Sequence, residues 1–249
     1  MGFLQFMLYR APAVLLALTL HELAHGYVAL RSGDPTARDM GRLTLNPLKH
    51  LDPIGTVSMF LMGIGWAKPV PVNPRNFRNG RWDDLKVSLA GVTTNFIQFV
   101  LATLATIFIS RFLYVPSLLA DGGAEYLLKF GSQGHTLQLF PQYDALFAQF
   151  LRTPWLIHIQ RFFFHLAMVN LGMGMFNLLP LPPLDGFHVV NDVLFSGRLQ
   201  MSGKVFRIAH VALLLLLFTT NFVGRWIGAA MNFVQGGVLS VLLGVFGLR

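Results

Sequence analysis

The stretch from Gln5 to Leu30, QFMLYRAPAVLLALTLHELAHGYVAL, decides how the rest of this chain is read. It is apolar along most of its length, with Arg10 as an interruption and His21, Glu22 and His25 near its end. At 1.5 Å of rise per residue it is long enough as a helix to cross a hydrocarbon core of roughly 30 Å. A cleaved signal peptide would begin with a basic region and end a short apolar core at small residues. This run does neither and continues through the polar trio, so it reads as a retained first transmembrane helix, about residues 5–30.

Composition supports that solvent. Of 249 residues, 54% are hydrophobic and 12% charged, about half the charged fraction of an ordinary soluble domain. A disordered chain is excluded, and the lack of cysteine excludes disulfide scaffolds, thiol nucleophiles and cysteine-ligated metals. Any metal must be held by His, Asp or Glu. The formal net charge of +8 would suggest nucleic acid in a soluble protein, but here it reads as basic loops on one membrane face. Only Glu22 and Glu125 are glutamates, and Glu22 lies inside an apolar run.

Further spans are expected at about 86–113, 155–179, 205–220 and 222–248, five in all, in a single integral-membrane domain over 1–249. The third carries His158, Arg161, His165 and Asn170, too polar for a helix facing lipid on all sides, so it should face a protein interior. The last is rich in Gly and suited to close helix packing. Residues 53–74 read differently. From Pro53 to Trp66 the chain is apolar, short and punctuated by Gly55, Gly63 and Gly65 before it enters Lys68-Pro69-Val70-Pro71-Val72-Asn73-Pro74. About 14 residues of helix rise only about 21 Å, and alternate prolines forbid helix beyond. A re-entrant extended hairpin is expected, with a buried connector as the alternative. The fold class is thus all-α polytopic membrane protein, about five transmembrane helices with a short re-entrant extended or β element.

Basic residues orient it. Thirteen Lys and Arg fall on one face, among them Arg31, Arg38, Arg42, Lys68, Arg78, Lys86 and Arg207; Arg10, Arg111, Lys129, Arg152 and Arg225 fall on the other. The richer face should be cytoplasmic, which puts the N-terminus outside and the C-terminus inside. The segment 114–154 becomes an outward loop with room for a short surface helix. It is too short for an inserted regulatory domain, so the chain reads as a minimal core.

His21-Glu22-Leu23-Ala24-His25 is an HExxH on a helix. Spacing of four stacks both imidazoles on one face, where two nitrogens can share one zinc ion, and the intervening Glu reaches water at the open position. Three polar groups satisfied by helix–helix hydrogen bonds are the alternative. Zinc needs a third protein ligand, and Asp185, in Asn177-Leu178-Leu179-Pro180-Leu181-Pro182-Pro183-Leu184-Asp185-Gly186, is the candidate. Its prolines end the third span and force an extended approach, while His25 and Asp185 both lie near the cytoplasmic boundary. Taken alone, Asp185 would read as a helix N-cap.

These motifs resemble those of the site-2 protease family of intramembrane zinc metalloproteases. The resemblance rests on His21 to His25, on Asn177 to Gly186 and on Gly65 to Pro74, and it covers about residues 5–207. One departure is Val92 in Ala90-Gly91-Val92-Thr93-Thr94-Asn95, where the family usually has Pro. The resemblance implies one zinc ion on His21, His25 and Asp185, with Glu22 as general base and then acid. It also implies a membrane-embedded, single-span protein substrate in a lipid bilayer, without selecting a substrate or an oligomeric state. Asn177 and Asn95 are candidate donors to substrate backbone or oxyanion, or else interhelical hydrogen bonders. The segment from Gly65 to Val72 would offer an edge to an unwound substrate strand.

His158, Arg161 and His165 share one face of the third span and read as a buried polar cluster, or else a second metal site or gate. His50, His135, His188 and His210 receive no role. A membrane metal-ion transporter or channel using the same His, Glu and Asp residues is the alternative function.

Overall fold

A first helix of 30 residues, α1 (Gly2–Arg31), contains the whole opening stretch, with Pro12 inside it and Arg31 in its last turn. The computed structural model describes residues 2–53, 55, 67–120, 122–199 and 202–248. The other long helices among them are α2 (Arg81–Leu113), α3 (Leu156–Asn177), α4 (Asp185–Leu194), α5 (Gly203–Thr219) and α6 (Phe222–Phe246). A helix lies in each of the five expected segments without always reaching its expected ends. The segments Gln5–Arg31, Arg81–Leu113 and Val223–Phe246 are long and apolar enough to cross a membrane. The apolar run of helix α3 is interrupted by His158, Gln160, Arg161, His165 and Asn170, and α5 has only 17 residues.

Helix α2 begins five residues before the expected span. Asp83 and Asp84 lie in its first turn, where carboxylates favour the helix N-terminus, and Asp83 accepts from the Asn79 amide at 2.8 Å. No sheet forms among the described residues; strand-like pairing is confined to the isolated bridges Leu51–Ala67 and Tyr114–Leu151. Most of the apolar half of the expected re-entrant hairpin, residues 54 and 56–66, lies outside the described residues.

Packing divides the chain into two units, each assembled from separated segments: residues 15–96 with 173–223, and residues 1–14 with 97–172 and 224–249. In the first, the connection from α1 to α2 is tied together through Asp34, which is fully buried. Its carboxylate accepts from the Asn73 amide at 2.7 Å, the Asn76 side chain at 2.8 Å and the Thr36 hydroxyl at 2.5 Å. Burial alone would raise this carboxyl, but those hydrogen bonds, led by that from Asn73, outweigh it and hold it below its ordinary range. The prolines at 69, 71 and 74 have no N–H to give, and three other amides of the segment turn inward: Lys68 to His50 O at 2.9 Å, Val70 to a side chain of α1, and Asn73 to Asp34.

In the second unit, residues 114–154 are more ordered than the sequence foretells. Short helices form at Pro116–Leu119, Gly123–Leu128, Gln133–Leu139 and Asp144–Phe147. Leu127, Leu128, Leu139 and Phe147 bury against Ile107, Phe164 and Leu239, so the segment is fastened by apolar burial. His135 lies in it, edge-on to Phe164 at 4.8 Å; burial pushes its imidazole down to about 4 and keeps it neutral.

Candidate metal centre

Helical spacing places His21 and His25 one turn apart on α1, and both are buried with Glu22 between them. Their Nε2 atoms are 3.0 Å apart. Asp185, the first residue of α4, brings its Oδ2 to 3.5 Å from His21 Nε2 and 3.3 Å from His25 Nε2. The N-cap position belongs to Leu184 and makes no side-chain cap, so Asp185 does not serve as the N-cap it would have been in isolation. The approach after α3 is built from successive turns, with Leu181 N on Leu179 O at 2.8 Å and Leu184 N on Leu181 O at 2.9 Å. Gly186 is required there: a Cβ would meet Leu179 O at 2.5 Å and the Leu178 carbonyl more closely still.

Three observations test whether this trio suits a cation. Tetrahedral zinc with bonds of about 2.0–2.1 Å sets its ligand atoms roughly 3.3 Å apart, close to the three separations here. His25 Nδ1 lies 2.7 Å from the carbonyl oxygen of Val87, which can only accept, so the ring proton sits on Nδ1 and Nε2 bares its lone pair. Asp185 Oδ2 is buried and has no hydrogen-bond donor among the described residues. With the proton of each ring on Nδ1, electron pairs would face one another across 3.0–3.5 Å, an arrangement that a divalent cation relieves. Two imidazoles and a carboxylate form a donor set that zinc accepts. Among the described residues no other trio of His, Asp and Glu atoms gathers this closely.

Glu22 is outside the trio. Its Oε2 accepts from the Val70 amide at 2.7 Å, the single N–H in Pro69-Val70-Pro71. Asn95 is fully buried and its Oδ1 lies 2.5 Å from His21 Nδ1. Asn177 is partly exposed at the end of α3; the outer nitrogens of the two imidazoles are met by Asn95 and Val87 instead. His158, Arg161 and His165 lie in the other unit, with none of the convergence of the trio.

Sequence reasoning missed four residues at or beside the site. Gly91 faces both imidazoles, and a Cβ there would come within 2.5 Å of His21 Cε1 and nearer to His25 Nε2. A glycine inside an expected span was its signal. The Val70 amide had none beyond the alternating prolines. His188 and Asp192 follow Asp185 at i+3 and i+7, one helix face, and His188 Nδ1 is 3.9 Å from Asp84. Asp84 raises the His188 imidazole, while burial and then Asp84 push the Asp192 carboxyl up to about 6.

Long apolar helices and two imidazoles converging with a carboxylate suit a membrane protein with a candidate metal centre. The chain belongs to peptidase family M50, which it matches over residues 9–220. It is 33% identical over 243 residues to the Bacillus subtilis (strain 168) protein named "Putative zinc metalloprotease YwhC", covering 98% of this chain and 94% of that one. It is 34% identical over 92 residues to "Putative zinc metalloprotease Rip2" of Mycolicibacterium smegmatis (strain ATCC 700084 / mc(2)155), 35% of each chain. No solved structure matches the chain at a significant level.

Proposed function

We propose that this protein is a zinc-dependent endopeptidase that hydrolyses peptide bonds within transmembrane segments of single-span protein substrates. The observation that carries the reading is the meeting of His21 Nε2, His25 Nε2 and Asp185 Oδ2 at 3.0–3.5 Å, with Glu22 between the two histidines in the chain. Family membership and the zinc metalloprotease named among the relatives support it. His21, His25 and Asp185 would hold one ion per chain. Zinc, when bound, supplies Lewis acidity, polarising the scissile carbonyl and acidifying water.

The chain's own residues do the rest. Glu22 takes the proton of the attacking water as its oxygen bonds to the carbonyl carbon, then passes a proton to the leaving amine as the C–N bond breaks. The Val70 amide holds one oxygen of that carboxylate in place. Asn177 is the amide offered to substrate backbone or to the developing oxyanion. The lipid bilayer is the setting because a transmembrane helix hides its peptide bonds in its own hydrogen bonds and must be locally opened before hydrolysis.

Purified wild type and Glu22→Gln, assayed with a single-span membrane substrate, should differ by complete loss of cleavage at equal zinc content. Zinc-dependent ion flux through the wild type without cleavage would overturn the reading in favour of transport. The cytoplasmic placement of the centre, with the N-terminus outside and the C-terminus inside, is tested separately. Cysteines introduced at Asn79 and Ser202 should react with a membrane-impermeant reagent from the cytoplasmic face and one at Ser132 from outside, and the reverse pattern would invert the topology.

A further inference from the structure

A neutral imidazole carries its proton on one nitrogen, and the nitrogen that offers a lone pair is settled by the hydrogen bond the other one makes. For His25 the outer partner is the backbone carbonyl of Val87. For His21 it is a side chain, Asn95, at 2.5 Å and fully buried. A side-chain amide has a choice that a backbone carbonyl lacks. Presented through nitrogen it would donate to Nδ1 and leave the His21 proton on Nε2, facing the metal position. Presented through oxygen it accepts from Nδ1 and frees Nε2.

Oxygen is the end that fits, because His21 Nε2 already faces His25 Nε2 and Asp185 Oδ2. Helix α2 is shaped around the pair. Val87, Gly91 and Asn95 recur every four residues and so lie on one helix face. The outer two meet the two outer nitrogens, and Gly91 between them leaves the rings room where a Cβ would lie 2.7 Å from His21 Nδ1. Asn95 is separated from His21 by 74 residues, so neither local propensity nor helix spacing brings them together.

We propose that Asn95 is a positioning residue for the metal, its side-chain oxygen holding His21 in the Nδ1–H tautomer so that Nε2 presents its lone pair to zinc. The inference rests on His21 being a ligand as set out under Proposed function. In this role Asn95 acts through the imidazole of His21.

The test measures zinc affinity rather than cleavage. Full-length protein in detergent, stripped of metal, is titrated with zinc against a chromophoric chelator for wild type, Asn95→Leu, Asn95→Asp and His21→Ala. Loss of an outer-shell partner typically costs about 10–100-fold in metal affinity, and Asn95→Leu should show that loss. Asn95→Asp should restore the affinity, since a carboxylate oxygen also accepts from Nδ1–H; a role in packing alone would not distinguish these two variants. Wild-type affinity in Asn95→Leu, or an Asn95→Asp as weak as Asn95→Leu, overturns the proposal. Should Asn95→Leu fail to fold, Asn95→Asp decides: affinity near wild type supports the inference and a tenfold loss overturns it. The His21→Ala arm separates the two levels, because wild-type affinity there removes His21 from the ligand set, whereas lost affinity beside an unaffected Asn95→Leu refutes only the role of Asn95.

Discussion

Both units bury histidines, yet among the described residues only one of them gathers a candidate metal centre. In the unit of residues 15–96 and 173–223, His21, His25 and Asp185 turn acceptor atoms toward a common point. In the unit of residues 1–14, 97–172 and 224–249, the polar groups of α3 are dispersed among protein partners. Arg161 donates through Nε to Gln138 O at 2.7 Å and grips both oxygens of Asp144. His158 Nδ1 meets the Tyr9 hydroxyl at 2.8 Å, and His165 packs edge-on to Phe6 at 4.8 Å. Gln160 donates to Ser110 Oγ at 2.6 Å and accepts from Tyr114. Burial of ionisable groups is therefore common to scaffold and site. Convergence of acceptors, with no donor left to satisfy them, is what separates the two.

Four substitutions would break that contrast if it were wrong. The largest effect is expected from Asp185→Ala, which should weaken zinc binding by more than the roughly 100-fold upper range of an outer-shell loss. Equal metal content in wild type and variant after dialysis against a chelator would remove Asp185 from the centre. Next comes the pair Gly91→Ala and Gly172→Ala. The first drives a methyl into both imidazoles and should weaken zinc binding by about 10–100-fold; the second meets only Met231, its Sδ at 3.5 Å, and should leave zinc binding unchanged. Similar behaviour of the two would mean that α2 need not approach α1 closely at Gly91. The smallest effect on zinc is expected from Asp144→Ala, which strands the buried Arg161 guanidinium. It should lower stability by about 2 kcal/mol in denaturant titration, less than a fully buried pair because Asp144 is partly exposed, and leave zinc affinity as in wild type. A change in zinc affinity would show that this cluster also serves the metal centre.

The legible part of the site was the part written on single helices. His21 and His25 stand one turn apart, Glu22 is between them, and Asp185 follows a run of prolines that ends α3; each of these can be read from spacing and residue type. Arg161 and His165 of α3 were legible as buried polar residues, whereas His158 is exposed; their partners were not legible, since Gln138 and Asp144 come from a segment whose sequence reads as an outward loop. That loop folds because its leucines and Phe147 find apolar surface on distant residues, which no local pattern announces. Asn95 was legible as a polar residue in a span, and the structure turns it to His21. Of the proline-rich segment, the sequence shows which amides are missing, and only the folded chain shows that the Val70 amide is spent on Glu22.

By itself, then, the sequence determined the solvent, the helical segments and the chemical types at the centre, because hydropathy and a period of 3.6 residues are local quantities. Tertiary structure decided that Asp185 reaches two imidazoles about 160 residues earlier in the chain, that Gly91 must lack a side chain, and which atoms hold the outer ring nitrogens. The physical reason is that a ligand set and its hydrogen-bonded surround are fixed by distances of a few ångströms between residues far apart in the chain, and packing alone sets those distances.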